Sequence, residues 1–294
     1  MRDKVPLSHT AAYIACCISE DMDINGNALV IGGGSGIGKA CALSLAREGA
    51  SGVLVADLVI STATDVAAEC KLVATNPDCQ TEALQVDVAR EDSVQRIVHD
   101  AVKKLGRIDY CVNCAGIGVE KGTDIAQMKL AEFQRFLDIN TTGMFLVMRE
   151  VSIAMRAQEL RPVSTTSPSR GVTRGSIVNL GSASSLVATP GIIPYTTSKH
   201  AVLGLCKNSA LDNAPYGIRV NCVLPSWTDT PMVQKALGGV DGLADLIRTA
   251  VPLGRIATPD EVADAVIFLC STRSSYVTGN GFIVDGGVTL GALR

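Results

Sequence analysis

Seven short runs rich in β-branched and apolar residues, at positions 28–31, 53–56, 83–86, 110–113, 176–180, 219–224 and 282–284, alternate with longer stretches of helical pattern. Strand, helix and strand repeated in this way need crossover connections, and those impose a parallel sheet with helices on both faces. The pattern predicts an α/β chain with a doubly wound, seven-stranded parallel β-sheet flanked by helices. Only 4% of the residues are aromatic, so the core must come from Val, Ile, Leu and Ala, which suit strands covered on both faces.

The 294 residues are 47% hydrophobic, enough to bury a sizeable core, and no linker divides them, so residues 25–294 are read as one domain. Residues 1–24 read as an N-terminal extension, packed on the surface or mobile. Its apolar stretch, 11–18, is too short to span a bilayer, so no membrane association is expected and the cytoplasm is the expected location. A formal charge of −3 with no long Lys/Arg run leaves no footprint for nucleic acid and points to small-molecule partners.

Ten cysteines stand singly inside apolar patterns, as at Cys41, Cys206, Cys222 and Cys270, and read as reduced core residues. Cys111 and Cys114 have redox or zinc spacing, but no second pair follows, and His9, His99 and His200 do not cluster. No metal is expected. Local signals are clear in places: Thr258 and Glu261 form a capping-box pattern around Pro259, and Val262, Val266 and Leu269 then repeat on one helical face. The segment 162–175, rich in Ser, Thr, Pro and Gly, reads as an exposed loop before the fifth strand.

After the first strand comes Gly32-Gly33-Gly34-Ser35-Gly36-Ile37-Gly38, and a helical run follows. Glycines at this junction let the backbone approach a pyrophosphate and aim helix N-terminal amides at it. Asp57 closes the second strand, 19 residues beyond Gly38, where a carboxylate can accept hydrogen bonds from adenosine ribose hydroxyls and would repel a 2′-phosphate. Neither Ser35 nor Leu58 supplies a cation to offset that repulsion. NAD(H) is therefore expected over NADP(H), on a Rossmann fold.

Tyr195 and Lys199 are four residues apart, hence on one face of a helix. A phenol is a slow proton donor at neutral pH, and a neighbouring ammonium favours its anion.

Together these pieces resemble the short-chain dehydrogenase/reductase family over about residues 25–287. The likeness rests on the glycine string, Asp87-Val88, Asn113-Cys114-Ala115-Gly116, Asn140, Ser182, Tyr195 with Lys199, and Val284-Asp285-Gly286-Gly287, in that order. It implies that Tyr195 is the general acid/base, that Ser182 holds the substrate oxygen, and that Lys199 assists Tyr195 and binds the nicotinamide ribose. It implies that Asn140 marks a helix kink and holds a water linking Lys199 to solvent. It further implies that Asp87 and Val88 flank the adenine, that Asn113, Ala115 and Gly116 line the cofactor cleft, and that Pro225, Thr228 and Thr230 meet the nicotinamide end, Thr230 at the carboxamide. A homo-oligomer, tetramer or dimer, built through the last helix and strand is implied as well.

Three residues depart from the family pattern. Ile31 replaces a Thr that ties the turn to a neighbouring strand, Ser226 replaces a Gly and would put a side chain near the nicotinamide, and Thr228 stands where Val or Ile is usual. The expected activity is hydride transfer between NAD(H) and a secondary alcohol or ketone. Two alternatives remain: an NADPH-dependent ketoreductase acting on a carrier-bound or polyketide-like substrate, and a non-catalytic dinucleotide sensor or scaffold. Substrate contacts are expected in 119–123, 186–193 and 226–245, with Lys235 as a charged anchor.

Overall fold

A computed structural model describes residues 23–164, 167–239 and 242–291. The call of an extension at 1–24 therefore lies almost wholly outside the described residues. Seven strands form one parallel sheet: β1 (Asn27–Ile31), β2 (Gly52–Asp57), β3 (Gln80–Gln85), β4 (Tyr110–Asn113), β7 (Gly175–Leu180), β8 (Ile218–Pro225) and β9 (Gly281–Val284), in the order β3-β2-β1-β4-β7-β8-β9. The chain runs outward from β1 to β3, then returns to start β4 on the other side of β1. A crevice opens at the carboxyl ends of the strands at such a switch point.

The central strands read as continuous apolar runs because both faces are covered. One face packs under α1 (Gly36–Arg47), α2 (Ile60–Val73) and α9 (Pro259–Cys270), around Leu45, Val66 and Val266. The other packs under α3 (Glu91–Leu105), α5 (Gly143–Arg156) and α6 (Ile193–Asn213), around Ile97, Met144, Val151 and Val202. Among the described residues no helix is long and apolar enough to cross a membrane.

Six strands lie within one residue of their expected ends, but β3 begins three residues earlier than expected. As an edge strand it alternates exposed and half-buried side chains, so Gln80 and Glu82 hide its start, and pairing with Gly52–Asp57 of β2 sets its length. The capping box of α9 forms: Glu261 N donates to Thr258 Oγ1, and Thr258 N donates to Glu261 Oε2 at 2.8 Å. The described parts of the segment 162–175 are mostly exposed but include a short strand pairing. Strands β5 (Arg161–Pro162) and β6 (Val172–Thr173) pair in an antiparallel hairpin, and Arg170 Nη1 donates to Thr272 O at 2.7 Å.

Candidate active site

The crevice is a cleft of about 360 Å³ whose wall takes residues from nearly every strand end. At its closed end lies the glycine turn. Gly32 and Gly36 have φ of +71° and +51°, in the left-handed region that L side chains avoid. A Cβ on Gly38 would stand 2.0 Å from the Gly32 carbonyl oxygen, so only glycine allows α1 to start this close to the strand. The hydroxyl expected in place of Ile31 is replaced by backbone: Gly32 N and Gly33 N both donate to Ala56 O of β2, while Ile31 is buried in the core. Ser35, at the N-cap of α1, makes no capping bond and lines the cleft with Ile37 and Gly38.

Asp57 follows at the end of β2. Its Oδ2 accepts from Gly34 N at 2.9 Å and its Oδ1 from Val59 N at 3.1 Å, which fixes the carboxylate beside the turn. Leu58, Asp87 and Val88 complete this end. The nearby Lys39 is engaged by Glu69 at 2.7 Å, and Lys199 is the one cation among the described residues lining the cleft.

The other end of the cleft is built on β7 and the first turns of α6. Lys199, almost fully buried, donates from Nζ to Leu180 O at 2.9 Å and stands 5.7 Å from the Tyr195 ring centroid. Ser182 Oγ accepts from Ser184 N at 3.1 Å. That bond occupies a lone pair and leaves the hydroxyl hydrogen to donate, so a capping Ser can also hold a substrate oxygen. Ser182, Tyr195, Lys199, Pro225, Thr228 and Thr230 share the cleft wall. Thr230 also accepts from Val233 N at 3.3 Å through Oγ1.

Asn140 lies in a π turn, Leu137–Thr142, between α4 (Leu130–Phe136) and α5. The helix is irregular here, and the Asn140 side chain is committed: Oδ1 accepts from Ile117 N at 2.8 Å, and Nδ2 donates to Ile117 O and Ser198 Oγ at 3.0 and 3.1 Å. Ser198 Oγ donates in turn to Tyr195 O at 2.8 Å. Asn140 thus ties the segment after β4 to the helix that carries Tyr195 and Lys199.

Not every expected contact is made. Asn113 is not in the cleft wall, although Cys114, Ala115 and Gly116 are. Strand alternation turns its side chain under α5, where Nδ2 meets Met144 Sδ at 2.8 Å. The same alternation separates Cys111 and Cys114 onto opposite faces, so their spacing makes no dithiol pair. No group of three or more His, Cys, Asp or Glu side chains suited to a metal occurs among the described residues. Ser226 lines the cleft and its hydroxyl donates to Asp285 O at 3.0 Å, so this departure from Gly tethers the loop to the end of β9. Thr228 is buried, with Oγ1 donating to Ser226 O at 3.2 Å.

The expected segment 226–245 reaches the cleft wall, and what sequence reasoning missed is how it meets the other segments. Met232 and Val233, at the start of α7 (Pro231–Gly239), line the cleft, and Met232 Sδ would stand 2.7 Å from a Cβ on Gly118. Lys235, the expected charged anchor, is paired with Glu120 at 2.6 Å. Thr123 N donates to Gly191 O at 2.8 Å. These contacts join segments roughly 70 to 115 residues apart, and no local pattern marks them.

A family model described as enoyl-(acyl carrier protein) reductase matches residues 32–289. The short-chain dehydrogenase fogB of Aspergillus ruber is 66% identical over 272 residues, covering 92% of this chain and 100% of its own. The solved structure of levodione reductase superposes with a TM-score of 0.81 at 30% identity, covering 92% of this chain and 99% of that one. A gluconate 5-dehydrogenase from Burkholderia cenocepacia, in complex with NADP and tartrate, superposes with a TM-score of 0.79 at 28% identity, covering 92% and 98%.

Proposed function

The chain belongs to the short-chain dehydrogenase/reductase family of oxidoreductases, which bind nicotinamide dinucleotides, and from that premise we propose that it interconverts a secondary alcohol and a ketone with NAD(H). One observation carries the reading: Ser182, Tyr195 and Lys199 meet in the same cleft as the glycine turn and Asp57. The residues fit a dinucleotide, since side chains at Gly32, Gly36 or Gly38 would strain or fill the cradle that a pyrophosphate needs. When bound, the nicotinamide supplies or accepts the hydride.

The protein's own groups do the rest. In reduction the Tyr195 hydroxyl gives its proton to the carbonyl oxygen, and in oxidation the phenolate oxygen takes one from the alcohol. The Ser182 hydroxyl donates to the same oxygen, a bond that strengthens as charge develops there. Lys199, fixed by Leu180 O, holds positive charge beneath the phenol and offers its remaining donors to ribose hydroxyls. Asn140 positions both through Ser198. With its side chain engaged, any water relay from Lys199 falls to main-chain groups of the π turn.

NAD(H) is favoured because Asp57 and Asp87 sit at the adenosine end with no lining cation beside them among the described residues. The NADP bound in the gluconate dehydrogenase supports the second reading, an NADPH-dependent ketoreductase. The substrate end, with Ile117, Met232 and Val233, is apolar and suits a neutral molecule. Assembly follows the same reading: Phe282, Ile283 and Leu290, exposed on and after β9, offer apolar surface for a homo-oligomer of this single domain.

The test is fluorescence titration with NADH and NADPH, alongside Tyr195→Phe assayed on secondary alcohols and ketones. Tighter NADH binding, with turnover lost in a variant that still binds cofactor, is expected. Tighter NADPH binding overturns the cofactor preference, and binding without turnover on a broad panel favours a sensor or scaffold.

A further inference from the structure

Beneath the sheet end that carries the site, two buried amides stand side by side. Asn113 of β4 pairs in register with Asn179 of β7, and their exposures are 1% and 0%. Both side chains lie under α5: Asn113 Nδ2 donates to Met144 Sδ at 2.8 Å, and Asn179 Nδ2 donates to Met148 Sδ and to Cys206 Sγ of α6, each at 3.2 Å. The oxygens are not served in the same way. Asn113 Oδ1 and Asn179 Oδ1 are both buried, and neither accepts a hydrogen bond from any described residue. An unpaired buried acceptor carries its full desolvation cost, and native folds rarely keep two together.

The neighbours in the same row of the sheet offer nothing. Ile31 of β1, the other register partner of Asn113, has no side-chain donor, and the Cys222 thiol of β8, the other partner of Asn179, is directed at Val223 O at 3.9 Å. Turning an amide over does not help, because its oxygen would then face the thioether of Met144 or Met148, which has no hydrogen to give. A direct bond from one amide to the other would still leave one oxygen unpaired.

We propose that one internal water binds between Asn113 and Asn179 and donates one hydrogen to each oxygen. Neighbouring strands run about 4.8 Å apart, and a water making two bonds of about 2.8 Å at a near-tetrahedral angle spans about 4.6 Å. Two acceptors in register thus match the two donors of one water, and otherwise unsatisfied buried groups of this kind are what internal waters join. A metal ion is a poor fit, since the amides bring only two oxygens and no carboxylate where calcium takes about six to eight oxygen ligands. The water lies under both parts of the site. Asn113 leads into Cys114, Ala115 and Gly116 of the cleft wall, and Asn179 leads into Leu180, whose carbonyl holds Lys199.

The test is a crystal structure of the full chain at a resolution that shows ordered water, together with a double-mutant cycle followed by thermal unfolding. One solvent peak within about 2.6–3.1 Å of both Asn113 Oδ1 and Asn179 Oδ1 is expected. Leucine has nearly the shape of asparagine without its polar atoms, so Asn113→Leu or Asn179→Leu alone leaves one amide oxygen and the water short of a partner. Each should lower the unfolding midpoint by about 3 °C or more. The double variant removes both acceptors and the need for the water, and should unfold no more than about 2 °C below the worse single variant, well short of the sum. Amides in direct contact with no peak between them, or losses that simply add in the double variant, overturn the proposal. For a single variant that does not fold, the density between the two amides of the unaltered chain decides alone.

Discussion

Asn140 and Ile117 form a reciprocal pair, the side-chain oxygen accepting from the Ile117 nitrogen at 2.8 Å and the side-chain nitrogen donating to the Ile117 oxygen at 3.0 Å. Asn140 is fully buried, so it acts as an internal clip between the segment after β4 and, through Ser198, the helix of Tyr195 and Lys199. In Asn140→Ala the Ile117 groups and Ser198 lose partners, which costs about 1–3 kcal/mol of stability. Turnover should fall by about 10- to 100-fold as Lys199 and Tyr195 lose their registration, with a smaller change in dinucleotide affinity. Thermal unfolding together with separate kcat and Kd measurements checks this, and an equal loss in both would place Asn140 in cofactor binding instead.

Gly38→Ala should be severe. Its Cβ would meet the Gly32 carbonyl oxygen at 2.0 Å, and a backbone atom cannot swing aside as a side-chain tip can. Loss of about 1–3 kcal/mol or more is expected, with dinucleotide binding lost as well. Gly204→Ala is the contrast, since nothing lies within 4 Å of its Cβ in the middle of α6 and about 0.5–1 kcal/mol should be gained. Calorimetry on both variants compares the two; a mild Gly38→Ala would mean that the turn is not held as tightly as its geometry requires.

Replacing Asp57 by Ser and Leu58 by Arg should reverse the electrostatics of the adenosine end. The carboxylate now accepts from Gly34 N and Val59 N and faces no lining cation among the described residues. The ratio of kcat/KM with NADPH to that with NADH should rise by at least about tenfold, equivalent to about 1.4 kcal/mol. An unchanged ratio in a folded variant would show that residue 57 does not reach the ribose.

The Glu261 carboxyl is held down to about 2, first by its hydrogen bonds from Arg255 and then by the Thr258 nitrogen. Its folded value lies below the unfolded carboxylate value of about 4.3, so the stabilisation is complete above that value and fades as pH falls towards 2. Glu261→Gln should be less stable than the unaltered chain near neutral pH, and the gap should close between about pH 4 and pH 2. A gap that stays constant with pH would assign the effect to the capping shape of α9 rather than to charge.

The loop closure at the substrate end shows why legibility stops where it does. In the linear chain Lys235 reads as a charged anchor for substrate and Glu120 carries no signal; their 2.6 Å pairing exists because β4 and β8 bring distant segments to one sheet end. Asn113 reads as a cleft residue from its place in the motif, yet whether an odd or even strand position faces the crevice depends on the register of β4 against β1 and β7. Ser226 reads as an intrusion near the nicotinamide, and only the approach of β9 gives its hydroxyl Asp285 O to bind.

By itself the sequence determined what short-range physics controls. Glycines at 32, 36 and 38 permit one tight strand-to-helix turn, Thr258 and Glu261 cap the helix they open, the i, i+4 spacing puts Tyr195 and Lys199 on one face, and alternating strands and helices require a parallel sheet. The tertiary structure alone decided which distant groups meet. Cys111 and Cys114, three residues apart, are parted by the sheet, whereas Asn140 and Ile117, 23 residues apart, form a reciprocal hydrogen-bonded pair. Side-chain direction alternates along a strand, and contact partners are chosen by packing across the sheet, a long-range property that no window of neighbouring residues contains.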